Sequence, residues 1–298
     1  MAQFVVMRID VNLMYLRIPM FCEIDSVIKY SDISLNSEKE TIIKLNEEAY
    51  KQNKKHKVVL MYDLGDLREG IIDKDDLIEL SEFVEFSLDN IELAGIGTNL
   101  SCYGSVIPTT ENLTKLCDVA EIIEKRLGRK LDIISGGATT TLPLLVNGEI
   151  PKKINHLRVG EAILSNQDLS LYWKTDIEGL KKDTFILKAQ IIEINEKPTY
   201  PIGELSINAF GDKPEYIDKG VRKRAILALG NQDLGNVSKL VPKDEDIIIL
   251  GGSSDHTIID IHECKENYKL GDIVEFNILY QAMLFATQSQ FINKKVIF

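Results

Sequence analysis

The chain has 298 residues, 44% of them apolar, and 35 basic against 46 acidic side chains give it a formal charge of −11. That length supports one large domain or two ordinary ones with real cores, and the acidic balance argues against nucleic acid or an anionic membrane as partners, since both require basic patches. That charge leaves small molecules or other proteins as partners; Cys22, Cys102, Cys117 and Cys264 are scattered without a CxxC pair, no apolar run reaches the roughly 18 residues of a membrane-spanning helix, and "MAQFVVMRID" lacks signal-peptide features, all of which points to a cytoplasmic protein.

Strand-like runs alternate with amphipathic stretches through the first 180 residues, an order that implies parallel pairing. The runs are "LMYLRI" (13–18), "DISL" (32–35), "KVVLMY" (57–62), "LAGIGTN" (93–99), "LDII" (131–134) and "HLRVG" (156–160). Between them, "SEKETIIKLNEEAYKQ", "DKDDLIELSEFVEFSL" and "TENLTKLCDVAEIIEKRLG" place apolar residues at helical spacing behind acidic first turns, the last ending at Gly128. From about residue 181 the texture changes to strand-like segments between turn-rich loops without convincing helices. Two domains are expected: residues 1–180 as an α/β unit and residues 181–298 as a mostly β unit, joined by "SNQDLSLYWKTDIEGLKKD" (165–183), whose Leu169, Leu171, Tyr172 and Trp173 suggest packing rather than a free linker.

In parallel α/β folds ligands bind at the carboxyl ends of the strands, and here those ends are polar. "SGGATTT" (135–141) sets two glycines among hydroxyls at a strand-to-helix junction, where backbone N–H groups can cradle a phosphate or simply form a capped turn. "RVGEA" adds Gly160 and Glu161 from the neighbouring strand. Asp63, Asp66, Arg68 and Glu69 crowd one loop, either pairing among themselves or leaving Arg68 to hold a carboxylate. Arg158, inside an otherwise apolar run, has the same choice, with Asp132 and Glu161 as its structural partners. Asp255, His256 and His262 surround a C-terminal strand, but two histidines without a third ligand make a poor metal site.

Taken together and in order, five segments resemble the motifs of the alanine racemase family, pyridoxal-phosphate enzymes with an N-terminal (β/α) barrel and a C-terminal β domain. "VVLMYDLGDLREGI" resembles the family's D-T-G-M-x-R-x-G loop, "ELAGIGTNLSCYG" its G-x-x-T-H strand, "LDIISGGATTTLPLL" its N-S-A-A phosphate segment, "HLRVGEAIL" its x-R-x-G-x-x-x-Y/F-G segment and "GGSSDHTIIDI" its x-M-D-Q-T-x-x-D segment. The wording is closest to the ornithine racemase-like branch, which shares "LRIPM", "DISLNSE" and "DLGDLREGI". The resemblance implies an amino-acid racemase with pyridoxal 5'-phosphate as cofactor. Arg158 then meets the pyridine nitrogen, Ser135, Gly137, Gly160 and Glu161 contact the phosphate, and Asn99 lies against the ring where relatives carry histidine. Arg68 is placed near the phenolate and the substrate carboxylate, and Asp255 reaches the site of a partner in a head-to-tail homodimer.

The resemblance also implies a Schiff-base lysine at the end of the first barrel strand, and no such segment occurs in these 298 residues. Six strand–helix units are two short of the eight a closed barrel needs, and residues 1–12 are too few for two units of about 30 residues each. The expectation is therefore an N-terminally shortened member that keeps Arg68 and Asp255 but lacks the lysine, with negligible turnover on its own. "PTYPIGELSINAFG" offers Tyr200 as a second base, in a context that does not match. The alternative, from another class, is a noncatalytic pyridoxal-phosphate-binding or assembly protein.

Overall fold

The computed structural model describes residues 11–208, 210, 211, 213 and 215–297; the opening "MAQFVVMRID" lies outside the described residues. A first compact unit ends at Gly160. Its strands are β1 (Met14–Tyr15), β2 (Ile33–Asn36), β3 (His56–Met61), β4 (Ile91–Gly97), β5 (Ile133–Ala138) and β6 (His156–Arg158), and between them run α1 (Ile24–Tyr30), α2 (Lys39–Lys51), α3 (Lys74–Ser87), α4 (Thr110–Leu127) and α5 (Leu142–Val146). All six strands are parallel and lie side by side in chain order. Only crossover connections build such a sheet.

The helices start and stop where their chemistry allows. The Asp73 carboxylate caps α3 by accepting from the N–H groups of Asp75 and Asp76, Thr109 caps α4, and Gly128 closes α4 in the left-handed region at φ 70°. Val58, Leu60, Leu93 and Ile96 face Ile42, Leu45, Leu77, Leu116 and Ile123 in the main core. The alternate residues Ile33, Leu35, Val59, Met61 and Ala94 form a smaller cluster on the other sheet face, so the central strands are apolar on both sides, as buried parallel strands must be.

Two strands depart most from the sequence expectation. Only Met14 and Tyr15 of the first apolar run pair, both with β2. β5 runs on through Ser135–Ala138, placing Ser135 inside the sheet rather than in the turn after it. Ser135 pairs with Gly97 of β4 and His156 of β6, Ala138 pairs with Arg158, and Gly136 and Gly137 take up an irregularity between them, so flanking strands extend β5 through a segment of poor strand propensity.

The second unit begins at Glu161, ahead of the 180/181 boundary read from the sequence. This unit opens with α6 (Glu161–Leu164), and the expected connection, 165–183, holds α7 (Gln167–Trp173). It is tied into this unit by the Asn166 N–H to Lys181 O bond (2.8 Å) and by the Tyr280 N–H, which donates to Asp168 Oδ2 (2.9 Å). Then come β7 (Ile186–Pro198), β8 (Val221–Leu227), α8 (Asn231–Leu234), β9 (Leu240–Pro242), β10 (Ile248–Gly252), β11 (Thr257–Asp260), β12 (Ile273–Ile278) and α9 (Tyr280–Gln288). The strands form an antiparallel sheet in the order β10-β11-β8-β7-β12-β9. Its core gathers Leu187, Ile191, Leu227, Ile259 and Phe276 with Met283 and Ala286. The last two belong to α9, a nine-residue helix that corrects the expectation of a helix-free domain: "YQAMLFATQ" follows a strand with no polar cap, so its start is marked only by tertiary packing.

Candidate active site

The loop after β3 is organised by its two aspartates. Asp63 accepts from the N–H groups of Gly65 (2.8 Å) and Leu67 (3.2 Å). Asp66, 1% exposed, accepts from Ser101 (2.9 Å), Cys102 (3.2 Å), Tyr103 (2.9 Å) and Val106 (3.2 Å), all in the loop after β4. Burial by itself would raise the Asp66 pKa, but the backbone donors of Tyr103, Val106, Cys102 and Gly104 hold it below the usual value. Neither aspartate is a solvated charge: Asp63 folds its own loop, and Asp66 fixes that loop to the one after β4. Arg68 remains half-exposed, paired with Glu69 through Nε and through Nη2 at 2.6 Å.

Arg158 pairs with neither of the carboxylates that its sequence neighbourhood offers. Asp132 is engaged by Lys57, and no carboxylate among the described residues lies in ion-pair contact with Arg158. Instead Nη1 donates to Ser135 Oγ at 2.5 Å, and Nη2 donates to Thr98 O at 2.7 Å and to Asn99 Oδ1 at 3.4 Å. Desolvation lowers the guanidinium pKa to about 10, with Glu69, Arg68 and Cys102 close enough for their charges to act on it. Ser135, in turn, is 2.9 Å from His156 Nδ1. Gly97 makes room for this arrangement, since a Cβ there would lie 3.0 Å from Ser135 Cβ.

The glycine segment completes the ends of β5 and β6. Gly137 has φ +113°, a conformation for glycine, and a Cβ on it would come within 2.7 Å of Thr141 Oγ1, itself bonded to Gly136 O. Gly160 has open space where a side chain would be, and Glu161 opens α6 in the second unit. Asn99 is 6% exposed, and neither its Nδ2 nor the Oγ1 of fully buried Thr98 has a partner among the described residues. Within the second unit, Asp255 sits exposed between β10 and β11, accepting from Ser253 Oγ and Ser254 Oγ and paired with His256 Nδ1 at 3.0 Å.

The arrangement thus brings Arg158, Ser135 and Asn99 into direct contact at the strand ends and sets Arg68 within electrostatic range of them. It also adds His156, which the motifs did not single out, and gives roles to Thr98 and Asp66, which the motifs contain without assigning them one. For His156 a signal existed, because residues two apart on a strand share a face and Arg158 was already marked. The buried amide donor left over on Asn99, beside Arg158 with its five N–H groups and no acceptor, suits a ligand that accepts hydrogen bonds. Pyridoxal phosphate, a flat ring with a nitrogen acceptor, a phenolic oxygen and a phosphate for the glycine segment, is of that kind.

A sheet of strand–helix units with these groups at its carboxyl ends, followed by an antiparallel β domain, has the fold of the alanine racemases. The solved alanine racemase from Bartonella henselae with covalently bound pyridoxal phosphate aligns at a TM-score of 0.62 and 17% identity, over 92% of this chain and 72% of that one. The chain belongs to the alanine racemase family: residues 6–167 match the alanine racemase N-terminal domain. It is similar to an ornithine racemase of Acetoanaerobium sticklandii, 48% identical over 285 residues covering 95% of this chain and 79% of that protein. A lysine racemase of Thermotoga maritima is 38% identical over 281 residues, covering 94% and 77%.

Proposed function

We propose that this chain binds pyridoxal 5'-phosphate at the carboxyl ends of β4, β5 and β6 and serves racemisation at the Cα of an amino acid, a diamino acid such as ornithine being the substrate. The observation that carries this reading is the partly buried Arg158 guanidinium, held by neutral acceptors only and presenting spare donors beside Asn99. The names of the two relatives support the substrate class, since ornithine and lysine share a terminal amino group.

When bound, the cofactor supplies an electron sink for the pair left at Cα as its proton departs. Arg158 donates to the ring nitrogen and, with a guanidinium that stays protonated at neutral pH, does not hand over that proton, which keeps the sink moderate and side reactions few. Asn99 donates its free amide N–H toward the ring. Backbone N–H groups of Gly137 and Gly160 would hold the phosphate. Arg68, shared with Glu69, orients the substrate carboxylate. Asp255 serves a second copy in a head-to-tail homodimer, in keeping with a cytoplasmic enzyme of small-molecule metabolism.

None of the six strands carries a lysine within two residues of its carboxyl end, so the lysine implied by the resemblance is assigned to none of them. The test is D- to L-ornithine interconversion by the 298-residue chain with pyridoxal phosphate, beside the same chain extended at its N-terminus by a lysine-bearing strand. Turnover confined to the extended protein is expected, and turnover by the short chain would overturn the assignment. A second reading, a noncatalytic cofactor-binding protein, predicts cofactor absorbance without racemisation in either form.

A further inference from the structure

The contacts of Arg158 form a directed chain. A guanidinium only donates, so Ser135 Oγ, 2.5 Å from Nη1, must accept. Ser135 is 1% exposed and its own proton needs a destination. His156 Nδ1 lies 2.9 Å away, and parallel register sets His156 directly beside Ser135. The hydroxyl therefore donates to an unprotonated Nδ1, which requires the imidazole to be neutral with its proton on Nε2. Donation to His156 leaves the serine oxygen a stronger acceptor for Arg158, since hydrogen bonds in series polarise one another.

We propose that His156, acting through Ser135, is a positioning residue for Arg158, setting where the guanidinium stands when it meets the ring nitrogen. This rests on the proposed function and assigns the Ser135 side chain to the arginine rather than to a phosphate. Burial, and after it the charge of Arg158, hold His156 below the ordinary histidine value. β5 and the turn Thr139–Thr141, the elements packed against β6, carry no titratable side chain, so Arg158 on its own strand is the charge that faces the ring. At neutral pH the chain therefore runs in one direction, arginine to serine to histidine. Protonation of His156 would turn Nδ1 into a second donor to Ser135 and leave the hydroxyl proton without an acceptor.

Two measurements decide it. Long-range ¹⁵N–¹H NMR of the imidazole at pH 7.5, with no cofactor added, should show His156 neutral with a bare Nδ1; a protonated Nδ1 overturns the proposal. Titration with pyridoxal phosphate, followed by absorbance, should then give an affinity about tenfold weaker in His156→Leu than in the unmodified chain. His156→Asn, whose Oδ1 stands near the position of Nδ1, should recover most of the loss. Ser135→Ala should weaken binding to a similar degree, and the double variant should be no worse than either single one, because one chain is broken once. Equal affinities across the set, or additive losses in the double variant, overturn the positioning role alone. An unmodified chain that takes up no pyridoxal phosphate overturns the proposed function and this role with it. Near-ultraviolet circular dichroism checks the fold of each variant, and Ser135→Ala carries the test if His156→Leu does not fold.

Discussion

At the scale of single residues, what Arg158 can do follows from what a guanidinium cannot do: it cannot accept a hydrogen bond, and it does not readily lose its proton. It spans a serine hydroxyl on β5 and a carbonyl just past β4 at once. A lysine ammonium is a point donor on a flexible stem and cannot hold both while facing a ring nitrogen. Arg158→Lys should therefore lower pyridoxal-phosphate affinity by about tenfold or more, the equivalent of one charge-assisted hydrogen bond, as measured by absorbance titration. An unchanged affinity would show that the guanidinium geometry is irrelevant. Arg158 itself was legible in the sequence, because a charge inside an apolar run stands out and the surrounding motif is specific. Its partners were not legible. Ser135 reads as a turn residue until β5 is seen to continue through Ser135–Ala138, and only the pairing of Ser135 with His156 turns two ordinary polar residues into a connected set.

At the scale of elements, the sheet and its helices were readable from period and capping, whereas the two loops over β3 and β4 were not. "DLGDLREG" looks like a solvated acidic loop, and nothing in its spacing says that Asp66 reaches four N–H groups some 35 to 40 residues further on. Gly104 seals the joint: its N–H donates to Asp66 O, and a Cβ there would lie 2.6 Å from that oxygen. Asp66→Asn replaces one accepting oxygen with an NH₂ that points at donors. It should cost about 2 kcal/mol, the penalty for buried donors left unsatisfied, seen as a lower urea midpoint. The same change should loosen Arg68 and Asn99, which flank the joint, and so raise KM in an active extended protein more than it lowers kcat. Loss of stability with no change in KM would mean that the brace serves the fold alone. A second tie lies at the other end of α4, where Glu124 takes Lys130 and Lys153 at 2.8 Å each and the Leu131 N–H at 3.2 Å. Burial opposes ionisation there, yet these partners draw the carboxyl down to about 2.

At the scale of the whole molecule, the two compact units carry titratable groups that respond to acid in opposite directions between pH 7 and 4.5. In the first unit His56, 1% exposed and 2.8 Å from Ser34 Oγ, is held by burial at about 4. Its unfolded value is near 6.5, so the stability it confers is present above pH 6.5 and is lost as pH falls through 4, a change of about 3 kcal/mol. The contribution of Glu124 is also lost on acidification, but only below 4.5. In the second unit burial raises Glu161 to about 7, with Asp168 adding to the shift, and Asp168 is itself raised by burial. For these carboxyls the folded value exceeds the unfolded one. The stability they confer is therefore complete below the unfolded value and is lost as pH rises through the folded one, and the second unit gains as pH falls from 7 toward 4.5. The only tryptophan in the sequence, Trp173, lies in α7 of the second unit, while α2, α3 and α4, the three longest helices, lie in the first. Acid titration should thus diminish the helical circular-dichroism signal before it shifts tryptophan emission. His56→Leu, which fills the site without a proton to bind, should move the helical transition to lower pH and leave the tryptophan transition in place. Coincident transitions in both proteins would show that the units unfold as one and that His56 does not set the acid limit.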